Sequence, residues 1–284
     1  MFEIIYRYDP NKTDRQERPA DADQARERLV SGNMQSVNMR AAGGDPNAKV
    51  QDVIPLDGHL LGVTEEGGIS TPSQEPFAAV LSCADARVPP EIVFRQALND
   101  LFIFRVAGNV IAAEGIGSLA YAAHHLGESL KLMVVLGHTA CGAVTAAVDA
   151  YLAPTNYPPI TPAIGLRTIV DRIFISVRLA AKAIDEAGAL EPGDGAAYRN
   201  ELVRMAIVLN AAQTAMTVQQ LMADVISVDR KVVYGVYDLA SGSVHSPHDG
   251  KDSRLSMESG LVEPPSSLEQ LEQLAARLTE PGGP

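Results

Sequence analysis

Three short apolar runs dominate the middle of the chain: FAAVLSC (77–83), DLFIFRVAG (100–108) and KLMVVLGH (131–138). None alternates with polar residues, so each predicts a strand buried on both faces rather than a half-exposed one. GIGSLAYAAHHLG (115–127), small and apolar at helical spacing, lies between the second and third runs, and CGAVTAAVDAYL (141–152) follows the third. Buried strands alternating with helices predict a parallel sheet covered on both faces, with right-handed crossovers.

Downstream, residues 163–188 and 197–223 carry two long helical patterns separated by the break EPGDG. KVVYGVYDL (231–239) predicts a further strand, and ASG followed by SVH a turn into a hairpin partner. A terminal helix is expected over 266–279, with Leu268, Leu271, Leu274 and Leu278 on one packing stripe. Upstream the texture is irregular. Asp21–Val30 predicts one capped helix, and 41–75, rich in Gly, Pro and Asp, a long connection of the kind that carries function or motion. The expectation is an α/β fold, a mostly parallel β-sheet flanked by helices with an N-terminal helical arm and a C-terminal helix. It divides into an arm and connection (1–75) belonging to the same fold, a catalytic α/β domain (76–250) and a C-terminal tail (251–284).

Composition narrows the function classes. With 23 Lys and Arg against 35 Asp and Glu, the net charge is −12. Binding to nucleic acid needs a basic surface, so no nucleic-acid partner is expected. No run of 18 apolar residues is present, and the opening MFEIIYRYDPNKTDRQERP is too charged for a signal peptide. No membrane association and a reducing cytoplasm are the expectations. There, a disulfide between the only two cysteines, Cys83 and Cys141, is disfavoured.

Those cysteines fall in suggestive places. Cys83 closes the first predicted strand, with Asp85 and Arg87 at two-residue steps after it; His138 closes the third, with Cys141 three residues on. Both clusters thus sit at carboxyl ends of strands in one parallel sheet, where open α/β folds bind ligands. Two thiolates and an imidazole are good zinc donors, and catalytic zinc sites keep about three protein ligands plus an open position. Cys-x-Asp-x-Arg and His-x-x-Cys are each weak alone; the alternative, two buried core cysteines, leaves their shared position unexplained. Zinc makes a bound water acidic enough to supply hydroxide, although two thiolates temper that acidity. Asp85 can orient this nucleophile by accepting its proton in a hydrogen bond. Arg87 can pin Asp85 and keep it ionised.

QEPFAAVLSCADARVPPEIVF, DLFIFRVAGNV, GSLAYAAHHLG and VVLGHTACGAV resemble the β-class carbonic anhydrase family, densely from Gln74 to Val148. ARERLVSGN and VVYGVYDLASGSV extend the likeness more weakly. The first 20 residues, 45–72 and the tail after 250 have no clear counterpart. The resemblance implies Zn2+ bound by Cys83, His138 and Cys141, with Asp85 and Arg87 as catalytic dyad. It further implies that the backbone amide of Gly142 helps hold substrate and that Gln74 reaches a neighbouring subunit's active site. The implied activity is reversible hydration of carbon dioxide to bicarbonate by a zinc-bound hydroxide, in a homodimer or higher homo-oligomer. Hydrolysis of carbonyl sulfide or carbon disulfide uses the same ligands and stays open, as does a non-catalytic zinc or scaffold role, although the latter would not need Asp85 and Arg87.

Other motifs point elsewhere less well. Gly115-x-Gly117-x-x-Ala120 mimics a dinucleotide fingerprint, but NVIAAE separates it from the preceding strand and no acidic residue ends the next one. The glycines are expected to serve close helix–sheet packing, and a Cys2His alcohol dehydrogenase is disfavoured with them. His124 and His125 are candidates for proton transfer or ordinary surface histidines, and His245 and His248 a minor metal pair or a solvated loop. His59 carries no signal. With no tryptophan in the chain, an inhibitory bicarbonate site built on one is not expected.

Overall fold

The computed structural model describes residues 1–9, 17–45, 47–64, 68–156, 164–188, 190–227, 229–249 and 255–280. The N-terminal part is more regular than its sequence texture predicts. Strand β1 (Phe2–Arg7) and strand β2 (Val50–Pro55) pair in parallel from Phe2↔Val50 to Arg7↔Pro55, and helix α1 (Ala22–Gly43) lies between them in the chain. Helix α1 supplies the expected helical arm, and the two strands add regular structure at the start of the chain and within the expected connection.

Asp21 starts α1 by accepting from the Gln24 backbone amide at 2.8 Å, the expected cap. The helix then runs well past Val30. Its first half buries Ala22, Ala25 and Leu29. Its second half has no apolar stripe and is anchored by polar contacts instead. Buried Asn33 donates to the Val93 and Gly242 carbonyls (3.0 and 2.9 Å) and accepts from the Val244 amide (2.8 Å). The Ser36 hydroxyl donates to the Ile92 carbonyl and the Arg40 guanidinium to the Leu239 carbonyl. Periodicity of apolar residues cannot report a helix end held this way.

Among the described residues the main sheet has six strands. Strand β3 (Ala78–Ser82) leads through the short helix α2 (Pro90–Val93) to β4 (Leu101–Arg105). Helix α3 (Ala113–His125) leads to β5 (Leu132–His138). Helices α4 (Gly142–Leu152), α5 (Ile164–Ala187) and α6 (Ala196–Leu221) precede β6 (Lys231–Tyr237). Residue 163, the expected start of the first long helix, lies outside the described residues. A hairpin of β7 (Val244–Asp249) and β8 (Leu255–Ser259), then helix α7 (Leu268–Arg277), complete the chain. The strand order is β4-β3-β5-β6-β7-β8, with the first four parallel and the last two antiparallel. The parallel strands and the β6–β7 turn match the sequence expectation, except that β4, expected to be buried on both faces, is half-buried because it lies at the sheet edge. Strand β8 does not, because LSMES is too short and mixed to be recognised apart from its partner β7.

Alternation inside the continuous apolar strands sorts residues between two cores. On β5, Leu132, Val134 and Leu136 pack with Ala22, Ala25 and Leu29 of α1. Met133 and Val135 pack on the other face, with residues of α3 to α7. In α3, a Cβ at Gly115 would lie 2.6 Å from the Phe104 ring, so this glycine does allow close approach to β4; at Gly117 it would meet nothing within 4 Å, so that glycine does not. Leu271 of α7 and Leu278, which caps its end, are buried as expected, but Leu268 is 56% exposed and leaves the stripe. No described helix is long and apolar enough to cross a membrane.

Candidate metal centre

The strand order fixes where chemistry can be built. From β3 the chain goes to β4 on one side and returns to β5 on the other, so the β3–β5 border is where the order reverses. Crevices open at the carboxyl ends of strands at such a reversal. Cys83 directly follows β3, His138 ends β5, and Cys141 stands at the start of α4. Two clusters some 50 residues apart in the chain therefore meet.

Their donor atoms all lie within 4.8 Å of one another, and all three residues are buried. Among the described residues this is the one group of His, Cys, Asp or Glu side chains arranged to hold a metal ion. The donor chemistry fits zinc. His138 Nδ1 is 2.9 Å from the Thr139 carbonyl oxygen, an acceptor, so Nδ1 carries the hydrogen and Nε2 offers its lone pair. Nε2 is buried with no hydrogen-bond partner, a costly arrangement unless something coordinates it. Both cysteines are free thiols.

The sulfurs are electrostatically unequal. Cys83 is pulled down to about 4, first by its hydrogen bond with Cys141, against burial, and further by His138 and the backbone amides of Asp85 and Gly108. Cys141 is pushed up by the same sulfur–sulfur hydrogen bond, by burial and by the Cys83 charge; the first amides of α4 oppose this but do not win. Burial also opposes charging His138, yet the neighbouring Cys83, the Thr139 carbonyl and Asp85 hold its pKa above the ordinary value.

Asp85 sits at the edge of the cluster, with Oδ2 3.9 Å from His138 Nε2. Arg87 grips it at both oxygens, Nε to Oδ1 at 2.9 Å and Nη2 to Oδ2 at 2.6 Å, and donates its own backbone amide to Oδ1 at 2.9 Å. These hydrogen bonds hold the Asp85 carboxyl well below the usual carboxylate range despite some burial. Gly142 is exposed at the first turn of α4, and a Cβ there would meet nothing within 4 Å, so the space above this turn is open.

Gln74 is not brought to the cluster of its own chain. It is exposed, lies before β3 rather than after it, and lines a cleft with Glu75, His124, His125, Glu128 and Arg230. The five residues of β3 separate it from Cys83 by roughly 16 Å of extended chain alone. His124 faces Asp224 at 3.5 Å and His125 stacks on Tyr121 at 4.6 Å. His248 Nε2 is 3.0 Å from the Ser246 hydroxyl.

Sequence reasoning missed the supports behind Cys83. Arg105, ending β4, donates to the Cys83 carbonyl at 3.1 Å and to the Asp85 carbonyl, tying down the whole turn. The Gly108 amide donates to Cys83 Sγ at 3.3 Å, and buried Asn210 of α6 donates to the Gly108 carbonyl at 2.8 Å. Gly108 has φ +68°, the left-handed region that favours glycine, and a Cβ would lie 2.8 Å from Ile173 Cδ1, so that side chain would have to shift to admit one. A charged residue closing the apolar run LFIFR was the available signal for Arg105. Nothing near Asn210 in the sequence points to Gly108.

A sequence model of the carbonic anhydrase family matches residues 78–244, more than half of the chain. The chain belongs to the β-class carbonic anhydrase family. Within this carbonic anhydrase match fall Cys83, Asp85, Arg87, His138, Cys141 and Gly142; Gln74, the β1–β2 unit, β8 and α7 lie outside it. Carbonic anhydrase 2 of Mycobacterium tuberculosis is 42% identical over 109 residues, 38% of this chain and 49% of that protein. A carbonic anhydrase of Mycolicibacterium smegmatis is 39% identical over 142 residues, 49% of this chain and 63% of that protein. The chain thus spans about half of the first relative and less than two thirds of the second. Among solved structures, the β-carbonic anhydrase CcaA aligns over 68% of this chain and 82% of that one, at 21% identity and a TM-score of 0.45.

Proposed function

We propose that this chain is a zinc-dependent carbonic anhydrase that interconverts carbon dioxide and bicarbonate. The observation that carries the reading is the buried Cys83–His138–Cys141 donor set with the arginine-held Asp85 carboxylate at its edge. Cys83, His138 and Cys141 would hold the ion, which supplies the Lewis acidity that makes a water nucleophilic near neutral pH.

The remaining chemistry belongs to the protein's own groups. Asp85, kept ionised by Arg87, accepts a hydrogen bond from the attacking O–H and turns its lone pair toward the carbon of carbon dioxide. Arg87 also keeps Asp85 from turning inward onto the donor cluster, because both carboxylate oxygens are engaged. The Gly142 amide steadies the developing negative charge on the substrate's oxygen, a role supported by its position at the positive end of α4 beneath open space. Zinc binding requires thiolates, and a reducing cytoplasm keeps Cys83 and Cys141 available.

Stopped-flow carbon dioxide hydration by the zinc-loaded full chain tests this reading, run beside sulfide release from carbonyl sulfide and carbon disulfide. Rapid hydration with little sulfide is the expected result. Fast sulfide release with negligible hydration would replace carbonic anhydrase by a related hydrolase, and neither activity would leave a scaffold role.

We further propose a homo-oligomer in which Gln74 serves the partner's active site, supported by its exposure and its distance from the cluster of its own chain. Gln74→Ala should then lower hydration while zinc content stays at the parent's level. Mixing Gln74→Ala with Cys83→Ser chains should restore part of the activity, since one site in each mixed dimer has an intact metal set and a normal glutamine. A fully active monomer on sizing at low concentration would remove the cross-subunit role.

A further inference from the structure

The turn carrying two of the three proposed ligands is held from outside the metal centre. It consists of Thr139 and Ala140, between His138 and Cys141. Ala140 has φ +55°, a left-handed conformation that alanine adopts only when its surroundings enforce it. Every polar group of Thr139 is engaged. Its amide donates to the Tyr237 carbonyl at 2.9 Å, and its carbonyl accepts from His138 Nδ1 at 2.9 Å. Its hydroxyl donates to Asp238 Oδ1 at 3.1 Å and accepts from the Leu239 amide at 3.0 Å. Asp238 is itself fixed on the β6–β7 turn, accepting from the amides of Ala240 (3.3 Å) and Ser241 (3.0 Å).

The β5–β6 ladder already pairs His138 with Tyr237, so the hydroxyl–carboxylate bond is not needed to set strand register. What it fixes is the next residue, whose carbonyl sets the His138 tautomer and whose successor swings the chain back to Cys141. We propose that Thr139 and Asp238 are positioning residues for the metal centre: Asp238 anchors the Thr139 hydroxyl, and this anchor holds the left-handed turn so that His138 and Cys141 present their donor atoms together. The proposal rests on the zinc reading above. Partners one step behind a metal ligand characteristically tune affinity by about 10–100-fold.

The test compares the zinc-loaded full-length parent with Thr139→Val, Thr139→Ser, Asp238→Ala and the Thr139→Val/Asp238→Ala double variant. Zinc transfer to a chromophoric chelator gives affinity, and cobalt(II) substitution gives the absorption signature of ligand geometry. Thr139→Val and Asp238→Ala should each weaken zinc binding by about 10–100-fold and alter the cobalt bands. Thr139→Ser should stay near the parent, and the double variant should be no weaker than the weaker single, because both remove one link. A parent that takes up no zinc sinks the zinc reading itself. A parent that binds zinc, with Thr139→Val and Asp238→Ala binding it as tightly, overturns the positioning role alone. A loss in Thr139→Ser equal to that in Thr139→Val also overturns it. If Thr139→Val does not fold, Asp238→Ala decides by the same criterion. Equal drops in thermal midpoint for loaded and metal-free variants would assign the pair to the fold instead, and overturn the proposal.

Discussion

Cys83→Ser is expected to lose most bound zinc and all measurable carbon dioxide hydration. A serine hydroxyl has the reach of the thiol but stays protonated near neutrality, and so is a far poorer zinc ligand than the thiolate it replaces. The Gly108 backbone amide, which donates to Cys83 Sγ at 3.3 Å, further favours a thiolate there. Two donors would remain, His138 and Cys141, and the loss should exceed the ~10–100-fold that removing an outer partner costs. Elemental analysis and the hydration assay on the same preparation check both halves. Full zinc content in the folded variant would remove Cys83 from the ligand set. The substitution should leave the strands intact, because Cys83 lies just beyond the β3 ladder and its carbonyl contact with Arg105 is made by backbone.

Asp85→Asn should do the reverse, keeping zinc and losing turnover by about 10²-fold, near 2.7 kcal/mol of barrier. Asp85 stands beside the donor set, not in it, so metal content should match the parent. An asparagine presents one acceptor and one donor where the carboxylate presents two acceptors. Arg87 would then hold the single oxygen and turn the amide N–H toward the reacting water, offering a donor where an acceptor is needed. Arg87→Ala should fail for a related reason, by freeing Asp85 to turn onto the cluster. Zinc analysis and stopped-flow hydration distinguish these outcomes, and near-parental turnover in Asp85→Asn would make the Asp85–Arg87 pair structural.

How far the sequence carried this reading differed along the chain. Where local pattern and burial agree, the elements were legible. AAVLS and LMVVLGH are buried along their whole length, as their continuous apolar character predicts, while LFIFR forms the expected strand but sits half-buried at the sheet edge. The two-residue and three-residue spacings around Cys83 and His138 advertised candidate donors at strand ends. The N-terminal unit was not legible, because β1 and β2 owe their existence to each other across some 40 residues, and the second half of α1 is fixed by Asn33 and Arg40 reaching backbone carbonyls rather than by a hydrophobic stripe. Strand β8 was not legible either, because it exists only as a partner to β7. The sequence by itself thus determined the class of fold and the residue types of the candidate metal donors, both properties of residue type and short-range spacing. Only the tertiary structure decided that the two donor clusters converge, since that depends on the β4-β3-β5 order. It alone brought Arg105, Asn210 and Asp238 behind the candidate ligands, because side-chain hydrogen bonds between residues far apart in the chain leave no periodic trace in the sequence.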